Sequence, residues 1–392
     1  MKIGLFTDTY SPQINGVAAS VSILKEQLIT YGHDVYIFTT TDPQTASDEL
    51  NIYRLPSLPF VSKRRIGLCI LPRLKKLVRK LNIELIHTHT EFPVGQYGRW
   101  VAKELNIPMV HTMHTIYEDY THFVAPGKLD FVAKSAAKRL TKSFCNSADE
   151  VIVPTDKTLQ LLLSYGVKKR ISVIPTGIDL DKFSPSRHDS SDIQALKESF
   201  GILPEEKIIL YIGRVSEEKN IAEVLRYVKQ YMSQNTGVKF LIVGDGPERS
   251  TLEEQSKELA ISDRVIFAGQ RKWTEIARYY QLGDVFVTAS KSETQGLTYI
   301  EALSAGVPVI AKSDPCIEGV VQSGINGYTF EGQDDFLEAV SLVLGDDLFR
   351  KRLSDTAEQS VSRYSSHQYG CSVENLYTEA GKKRYDKITA IK

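Results

Sequence analysis

The sequence is poor in cysteine, and its few cysteines follow no known binding pattern. Cys69, Cys145, Cys316 and Cys371 are scattered over 392 residues without a C-x-x-C pair. This spacing argues against a disulfide scaffold and against a zinc site. It is typical of a protein of the reducing cytoplasm.

Long hydrophobic runs are absent as well. No apolar run reaches the roughly 18 residues that a bilayer-spanning helix needs. The first residues, "MKIGLFTDTY", hold an apolar run that is too short for a signal peptide and indicate a strand with a polar exit. We therefore expect a cytoplasmic chain without a membrane-spanning helix.

The chain has no net charge, but the charge is unevenly distributed. Residues 1–185 contain 23 Lys and Arg against 17 Asp and Glu, a balance of +6, and residues 186–392 contain 25 against 31, a balance of −6. This asymmetry favours an anionic surface as partner of the first half. We expect no nucleic-acid partner.

Short apolar runs alternate with amphipathic stretches along the whole chain. Near-continuous apolar strands between helices predict parallel sheets that are covered on both faces. A length of 392 residues allows two such domains. We predict strands at "KIGLFT", "DVYIFTT", "LIHTHT", "MVHTMHT", "EVIVPT" and "ISVIPT", and then at "KIILYIG", "VKFLIVG", "RVIFAG", "DVFVTAS" and "VPVIAK".

The predicted fold is α/β, with two doubly wound, Rossmann-like domains facing each other across a cleft. The stretch 175–192, "PTGIDLDKFSPSRHDSSD", is rich in Pro, Ser and Asp and predicts the junction. We place the first domain at 1–182, the second at 183–364, and a helical tail at 365–392 that packs back on the first. Ligands of such sheets bind at the carboxyl ends of the strands.

Two turns that follow strands have the composition of phosphate sites. In "FTDTYSPQINGVAASV", Gly16 allows close backbone approach and the next helix offers N–H groups to an anion. The fingerprint G-x-G-x-x-G is absent, which weighs against an NAD enzyme. In "YIGRVSEEKNI", Arg214 and Lys219 suit a diphosphate. The alternatives are a plain turn and a pair of surface cations bridged to Glu217 and Glu218.

Later turns complete this pattern. "SETQGLTYIEAL" places Glu293 and Glu301 around a glycine turn, so that two carboxylates could each accept hydroxyls while N–H groups between them hold phosphate oxygens. The alternative is a solvated helix face. "IVGDGPERSTLEE" predicts a loop that shapes the wall of the site. The backbone of "FAGQRKW", at Gly269, Gln270 and Arg271, is a candidate contact for a planar base.

Four histidines lie near two strand ends, in "IHTHTEF" and "HTMHTIYEDY". They suit either a metal cluster or hydrogen-bonded core positions, and we expect the second and no metal. His114, past a strand end, is a candidate to hydrogen-bond at a reaction centre. The four are His87, His89, His111 and His114.

The segment 60–83, "FVSKRRIGLCILPRLKKLVRKLNI", carries eight cations and no acid. Leucines recur in it at helical spacing, so it predicts a basic amphipathic helix that can lie on an anionic membrane. Each such cation adds about 1 kcal/mol near an anionic leaflet. The alternative is a helix that packs its leucines on the sheet. The cations are Lys63, Arg64, Arg65, Arg73, Lys75, Lys76, Arg79 and Lys80.

These motifs together resemble the retaining glycosyltransferases of family 4, which have the GT-B fold. The resemblance covers nearly the whole chain and rests on "GVAASV", "PTGID", "GRVSEEKN", "GDGP" and "SETQGLTYIEALSAGVPVIA". Within the family, "HTEF", "HTMHTIYEDY" and "SETQGLTYIEAL" are similar to the bacterial diacylglycerol α-glucosyltransferases. The turn reads Glu293-Thr294-Gln295-Gly296, whereas many members have Gly immediately after this first Glu, and we interpret the difference as a subfamily mark.

The resemblance implies a first domain that binds acceptor and membrane and a second that binds the nucleotide sugar. It implies catalytic roles for His114, Glu293, Arg214 and Lys219, with the two cations on the donor diphosphate. Glu301 would hold the ribose. The other implied donor contacts are Gly16, Gly269, Gln270, Arg271, Thr294, Gln295, Gly296 and Leu297.

The implied reaction transfers α-glucose from UDP-glucose to the 3-hydroxyl of 1,2-diacylglycerol on the inner face of the cell membrane, where the enzyme is peripheral. Two cations on the diphosphate make a divalent metal unnecessary, so Mg²⁺ is not implied, and no other cofactor is required. The alternatives are another UDP-hexose, a soluble or polymeric acceptor, or a nucleotide-sugar epimerase or phosphorylase with the same fold. A pure binding protein would leave these side chains without a role.

Overall fold

The computed structural model describes residues 1–13, 15–43, 45, 49–59, 65–68, 70–118, 129–290 and 292–389. The chain divides into two compact units. Unit 1 comprises Met1–Gly177 and Ser366–Lys392, and unit 2 comprises Ile178–Ser365. The divisions that the sequence predicts, after residues 182 and 364, lie within five residues of these.

Unit 1 is built on a seven-stranded parallel sheet in the order β3-β2-β1-β6-β7-β8-β9. A separate antiparallel pair, β4 and β5, lies outside it. The order places the first strand in the interior of the sheet, as in a doubly wound fold. The strands are β1 Lys2–Phe6, β2 Asp34–Thr40, β3 Ile52–Leu55, β4 Ser57–Pro59, β5 Arg65–Gly67, β6 Leu85–Thr88, β7 Met109–Thr112, β8 Glu150–Val153 and β9 Ile171–Val173.

The helices of unit 1 include the last one of the chain, which packs along the first. Tyr369 on that last helix and Ser20 on the first are joined by a hydrogen bond of 3.0 Å between their hydroxyl oxygens. Both are buried, so the contact belongs to the core of the unit. The helices are α1 Gly16–Thr30, α2 Leu71–Lys80, α3 Pro93–Leu105, α4 Leu129–Cys145, α5 Asp156–Ser164 and, after unit 2, α14 Ser366–Thr389.

Unit 2 contains a six-stranded parallel sheet in the order β12-β11-β10-β13-β14-β15. Its strands are β10 Lys207–Ile212, β11 Val238–Val243, β12 Val265–Gly269, β13 Val285–Thr288, β14 Val309–Lys312 and β15 Gly327–Phe330. Its helices are α6 Leu180–Phe183, α7 Ser190–Ser199, α8 Ile221–Gln234, α9 Arg249–Glu258, α10 Ile276–Tyr280, α11 Leu297–Ser304, α12 Gln333–Gly345 and α13 Asp347–Ser360.

The two sheets confirm the prediction of two doubly wound α/β domains. Every apolar run that the sequence analysis named forms a strand, and the central ones are fully buried because helices cover both faces. Strands β3, β4, β5 and β15 are additional: they are short, none is buried along its whole length, and no strong apolar run predicts them. Within the described residues, no helix has both the length and the apolar content to cross a bilayer.

Candidate active site

In unit 2 the candidate donor residues follow three strands that are close in the sheet. Arg214 and Lys219 come after β10, Gly269 ends β12, and Glu293 comes after β13. Since β12, β11, β10 and β13 are consecutive and parallel, their carboxyl ends meet at one edge. The structure therefore brings the sequence-predicted residues of this unit to a single edge of its sheet.

Lys219 and Glu293 are in direct contact at this edge. The distance from Lys219 Nζ to Glu293 Oε1 is 2.5 Å, and both side chains are less than one-fifth exposed. The alternative interpretation of Lys219, a surface cation bridged to Glu217 or Glu218, is therefore wrong. An anion that binds the lysine must compete with this carboxylate, since both draw on the same charge.

The loop that carries Arg214 is held by its backbone, while the side chain is exposed. Tyr211 Oη donates to the carbonyl oxygen of Arg214 at 2.9 Å. Val215 donates its N–H to the carbonyl of Asp245 at 3.1 Å. A Cβ on Gly246 would lie only 2.1 Å from the Val215 carbonyl oxygen, so only glycine fits. The "GDGP" loop thus supports the backbone that positions the Arg214 guanidinium.

The glycine turn before α11 has a left-handed backbone. Gly296 has φ of 73°, and a Cβ there would lie 2.3 Å from the ring of Tyr299. Helix α11 begins immediately after it at Leu297. Because the first N–H groups of a helix have no acceptor within the helix, the turn presents donors of the kind that bind phosphate.

Glu301, on the second turn of α11, is buried rather than solvated. It is 3% exposed, and Tyr280 Oη donates to its Oε2 at 2.6 Å. Burial raises the pKa of Glu301 to about 7, although the hydrogen bond from Tyr280 and the charge of Lys182 oppose this shift. The solvated helix face is therefore excluded for Glu301. A buried carboxylate needs hydroxyl or cationic partners, which is compatible with the predicted ribose contact.

At the end of β12 the side chain of Arg271 is engaged with its own unit. Its Nη2 donates to the carbonyl of Ala268 at 2.6 Å, and its guanidinium lies over the rings of Phe200 and Tyr279. Gln270 is exposed. Only the backbone of this turn is thus placed as the sequence analysis proposes, and its contact with a base stays a prediction.

In unit 1 the loop after β1 leads directly into α1. Asn15 caps the helix by accepting from the N–H of Ala18 at 3.0 Å, and it donates to Thr9 Oγ1 at 2.7 Å. Gly16 is the first helical residue and is exposed. The local sequence therefore makes a capped helix start, as expected for an anion-binding turn.

Two buried carboxylates of unit 1 escaped the sequence analysis. Asp8 follows β1 and accepts from Thr90 Oγ1 at 2.5 Å and from the N–H of Val94 at 3.1 Å. Burial raises the pKa of Asp8 to about 6. Glu91 accepts from Tyr117 Oη at 2.6 Å. The available signal was a carboxylate directly after an apolar strand, in "LFTD" and "IHTHTE".

Glu91 also faces one of the four histidines. His111 Nε2 lies 3.4 Å from Glu91 Oε1, and both side chains are almost fully buried. Burial lowers the pKa of His111, but its contacts with Cys145 and Glu91 outweigh this and raise the pKa to about 10. Among the described residues, no group of three or more His, Cys, Asp or Glu has a geometry that could hold a metal ion.

The basic segment is a helix with one buried side. Leu74 and Val78 of α2 are buried in the core of unit 1, and Lys75 pairs with Glu104 at 2.7 Å. Arg65 is bound to Ser57, while Lys63 and Arg64 lie outside the described residues. The remaining exposed cations of the helix are Arg73, Lys76, Arg79 and Lys80.

Comparisons with known proteins show the family to which this chain belongs. Residues 14–182 match the family model described as Glycosyltransferase Family 4, and residues 192–360 match Glycosyl transferases group 1. The chain is 39% identical over 385 residues to the alpha-monoglucosyldiacylglycerol synthase of Streptococcus pneumoniae, covering 97% of this chain and 86% of that one.

The chain belongs to glycosyltransferase family 4. It is also 33% identical to the alpha-monoglucosyldiacylglycerol synthase of Acholeplasma laidlawii, over 99% of each chain. Among solved structures, Anabaena HepE in complex with UDP has a TM-score of 0.79 at 17% identity, covering 97% of this chain and all of the other. The fold of this family 4 member is therefore GT-B, and the enzyme is a nucleotide-sugar-dependent hexosyltransferase.

Proposed function

We propose that this enzyme transfers α-glucose from UDP-glucose to the 3-hydroxyl of 1,2-diacylglycerol, with retention, at the cytoplasmic surface of the membrane. The observation that carries the proposal is the similarity over nearly the full length to two enzymes that are both named alpha-monoglucosyldiacylglycerol synthase. The contacts in units 1 and 2 supply independent support for the donor and the membrane.

The support for the donor is the charge at the edge of the unit 2 sheet. Lys219, Arg214 and the start of α11 provide two cations and helix N–H groups for a diphosphate. Glu301 and Glu293 provide carboxylates for hydroxyls on either side of it. One ligand with phosphates in the middle and hydroxyls at both ends meets all of these groups.

Breaking the bond between sugar C1 and phosphate oxygen places negative charge on the leaving diphosphate. Lys219 and Arg214 stabilise that charge in the transition state, and this is how they accelerate the reaction. In a retaining same-face attack the leaving phosphate oxygen accepts the proton of the acceptor hydroxyl, so no separate protein base is needed. We propose that the reaction needs no metal, because Arg214 and Lys219 neutralise the diphosphate charge that Mg²⁺ neutralises in other transferases. The test is activity in excess EDTA: retained turnover would support this proposal.

The support for the membrane is a set of exposed apolar and cationic side chains in α2 and in the segment that precedes it in the chain. Leu58, Leu68 and Ile70 are 58%, 46% and 56% exposed, and Ile70 caps α2. The cations of α2 that have no described carboxylate partner are exposed on the same helix. Apolar side chains that enter the interface, together with cations that meet anionic headgroups, are the two signals for reversible membrane binding.

The test is a reaction of the purified enzyme with labelled UDP-glucose and vesicles that contain diacylglycerol and an anionic phospholipid. We expect a monoglucosylated lipid whose anomeric proton has the small coupling of an α-glucoside. Absence of glycolipid, with turnover of another UDP-hexose or of a soluble acceptor in a donor and acceptor screen, would replace this proposal. Turnover of UDP-sugar without any acceptor would instead indicate an epimerase.

A further inference from the structure

The histidines of unit 1 form a connected cluster at the carboxyl ends of β6 and β7. His87 and His89 pack ring on ring with centroids 4.0 Å apart, and His89 and His114 stack at 5.3 Å. His87, His89 and His111 are at most 1% exposed. His114 is half-buried. Because the other three rings are shielded from water, the position of each of their ring protons affects the energy of the cluster.

Both ring nitrogens of His87 and the Nδ1 atom of His111 have hydrogen-bond partners in the cluster. His87 contacts Tyr377 Oη through Nδ1 at 2.6 Å and Thr112 Oγ1 through Nε2 at 2.7 Å. His111 Nδ1 lies 3.0 Å from the carbonyl oxygen of Thr88, which can only accept, so this nitrogen carries a proton. Burial, together with the positive charge of His111, lowers the pKa of His87, His89 and His114 and keeps these rings neutral.

His89 has one partnered and one unpartnered nitrogen. Its Nδ1 lies 3.0 Å from His114 Nε2, and its own Nε2 is buried without a hydrogen-bond partner. Only one proton can lie between His89 Nδ1 and His114 Nε2. If His114 Nε2 carried that proton, the single proton of the neutral His89 ring would be on His89 Nε2. That atom would then be a buried N–H without an acceptor. Orphaned buried N–H groups are rare, and an unpaired acceptor is better tolerated.

We propose that His89 is a positioning residue that donates from Nδ1 to His114 Nε2 and thereby fixes His114 as the tautomer protonated on Nδ1. In the proposed reaction His114 then acts with a protonated Nδ1, and not with a lone pair at that atom. The role of His114 beside the sugar rests on the proposed function. The tautomer of His114 is argued only from contacts within unit 1.

The electrostatics of the cluster keep this arrangement over the physiological pH range. Burial lowers the pKa of His114 to about 3, and the positive charge of His111 contributes to this. Burial likewise lowers the pKa of His89 well below its ordinary value. Both rings therefore stay neutral, and a neutral imidazole has one donor and one acceptor, as the pair requires.

The first experiment compares His89→Asn with His89→Leu in the full-length enzyme. The Asn side chain places an amide N–H donor at about the position of His89 Nδ1. The Leu side chain fills more of the volume of the His89 ring than Asn does, but it has no donor. We expect kcat of His89→Leu to fall by about tenfold or more, as for a lost hydrogen bond, with His89→Asn retaining most of kcat and KM for the donor little changed. A Leu variant that matches or exceeds the Asn variant would show that His89 only packs, and would overturn the proposal.

The second experiment observes the tautomer directly, by ring ¹⁵N shifts of the histidine-labelled wild-type enzyme with His114→Gln used for assignment. We expect His114 Nδ1 to be protonated and Nε2 to be unprotonated. The opposite pattern would overturn the proposal whatever the substrate is. Failure of the enzyme to glucosylate diacylglycerol would instead overturn the proposed function alone, because the shifts are measured without substrate.

Discussion

Lys219 and Glu293 form an ion pair across the ends of β10 and β13, with Nζ and Oε1 2.5 Å apart. The two residues are 74 positions apart in the chain, and each was assigned to a different part of the ligand on sequence grounds. The pair means that the lysine is balanced by a carboxylate before a donor binds. Donor affinity is thus a difference between two ion pairs, and it depends on both residues.

Replacing the lysine should remove most activity without unfolding the enzyme. For Lys219→Ala we expect kcat/KM for the donor to fall by about 10- to 100-fold, since a charge-assisted hydrogen bond contributes about 1.5–3 kcal/mol. Steady-state kinetics and a thermal melt measure the two effects. Lys239→Ala is the control, because Lys239 pairs with Glu206 at the start of β11, away from the site. Near-normal turnover of Lys219→Ala would refute its role.

Neutralising the Glu293 carboxylate should raise the affinity of the enzyme for the nucleotide. For Glu293→Gln we expect tighter binding of UDP by about threefold or more, because Lys219 no longer has a competing partner. Turnover should fall, since Glu293 is proposed to contact the sugar. Calorimetric titration with UDP measures the first effect, and Glu206→Gln is the matched control. Weaker UDP binding by Glu293→Gln would contradict the competition.

The burial of Glu301 predicts a pH-dependent stability. Its pKa in the folded state, about 7, is above the ordinary value of 4.5, so its contribution is fully present below pH 4.5 and is lost as pH rises through about 7. The difference corresponds to roughly 3 kcal/mol. Glu301→Gln keeps an acceptor for Tyr280 but cannot ionise. We expect it to gain stability relative to wild type between pH 5 and pH 8 in urea denaturation. A pH-independent difference would show that Glu301 is not shifted.

The close approach of the "GDGP" loop to the Arg214 loop predicts that Gly246→Ala is damaging. The new Cβ would be 2.1 Å from the Val215 carbonyl oxygen, so the backbone must move at a cost of about 1–3 kcal/mol. We expect a lower melting temperature and a higher KM for the donor. Gly237→Ala is the control, since a Cβ there meets nothing within 4 Å. Unchanged donor KM in a folded Gly246→Ala enzyme would argue against this support.

Neighbouring lysines of α2 should differ in membrane binding. Lys76 is exposed, whereas Lys75 pairs with Glu104 and lies near the ring of Trp100. For Lys76→Gln we expect about fivefold weaker flotation with anionic vesicles at low salt, from a loss of about 1 kcal/mol. Lys75→Gln should lose less. If both variants bound the vesicles as well as the wild type does, α2 would not be part of the membrane-binding surface.

Much of the fold could be predicted because short segments of the sequence determine the secondary structure and its burial. The runs "KIILYIG" and "DVFVTAS" are apolar without interruption, and only a strand covered on both faces tolerates that pattern. Gly296 and Gly246 could be predicted as turn residues because each lies between a predicted strand and a predicted helix. The sequence also predicted a helix after the Gly16 turn and a helix from the spaced leucines of 60–83, and α1 and α2 confirm both.

Contacts between distant residues could not be predicted in this way. The burial of Glu301 under Tyr280, the Lys75–Glu104 pair and the bond between His89 and His114 join different elements. Asp8 and Glu91 were missed because a single carboxylate after a strand has no pattern of its own. Their significance appears only when the Thr90 and Tyr117 hydroxyls are placed against them.

The sequence alone determined the two parallel sheets, the turns after their strands and the kinds of side chain that those turns carry, since alternation and local composition are properties of short segments. The tertiary structure decided which of these side chains meet. Strand β10 pairs with β13 although β11 and β12 lie between them in the chain, and this order puts Lys219 against Glu293. Strand order depends on how whole elements pack together, and no short segment contains it.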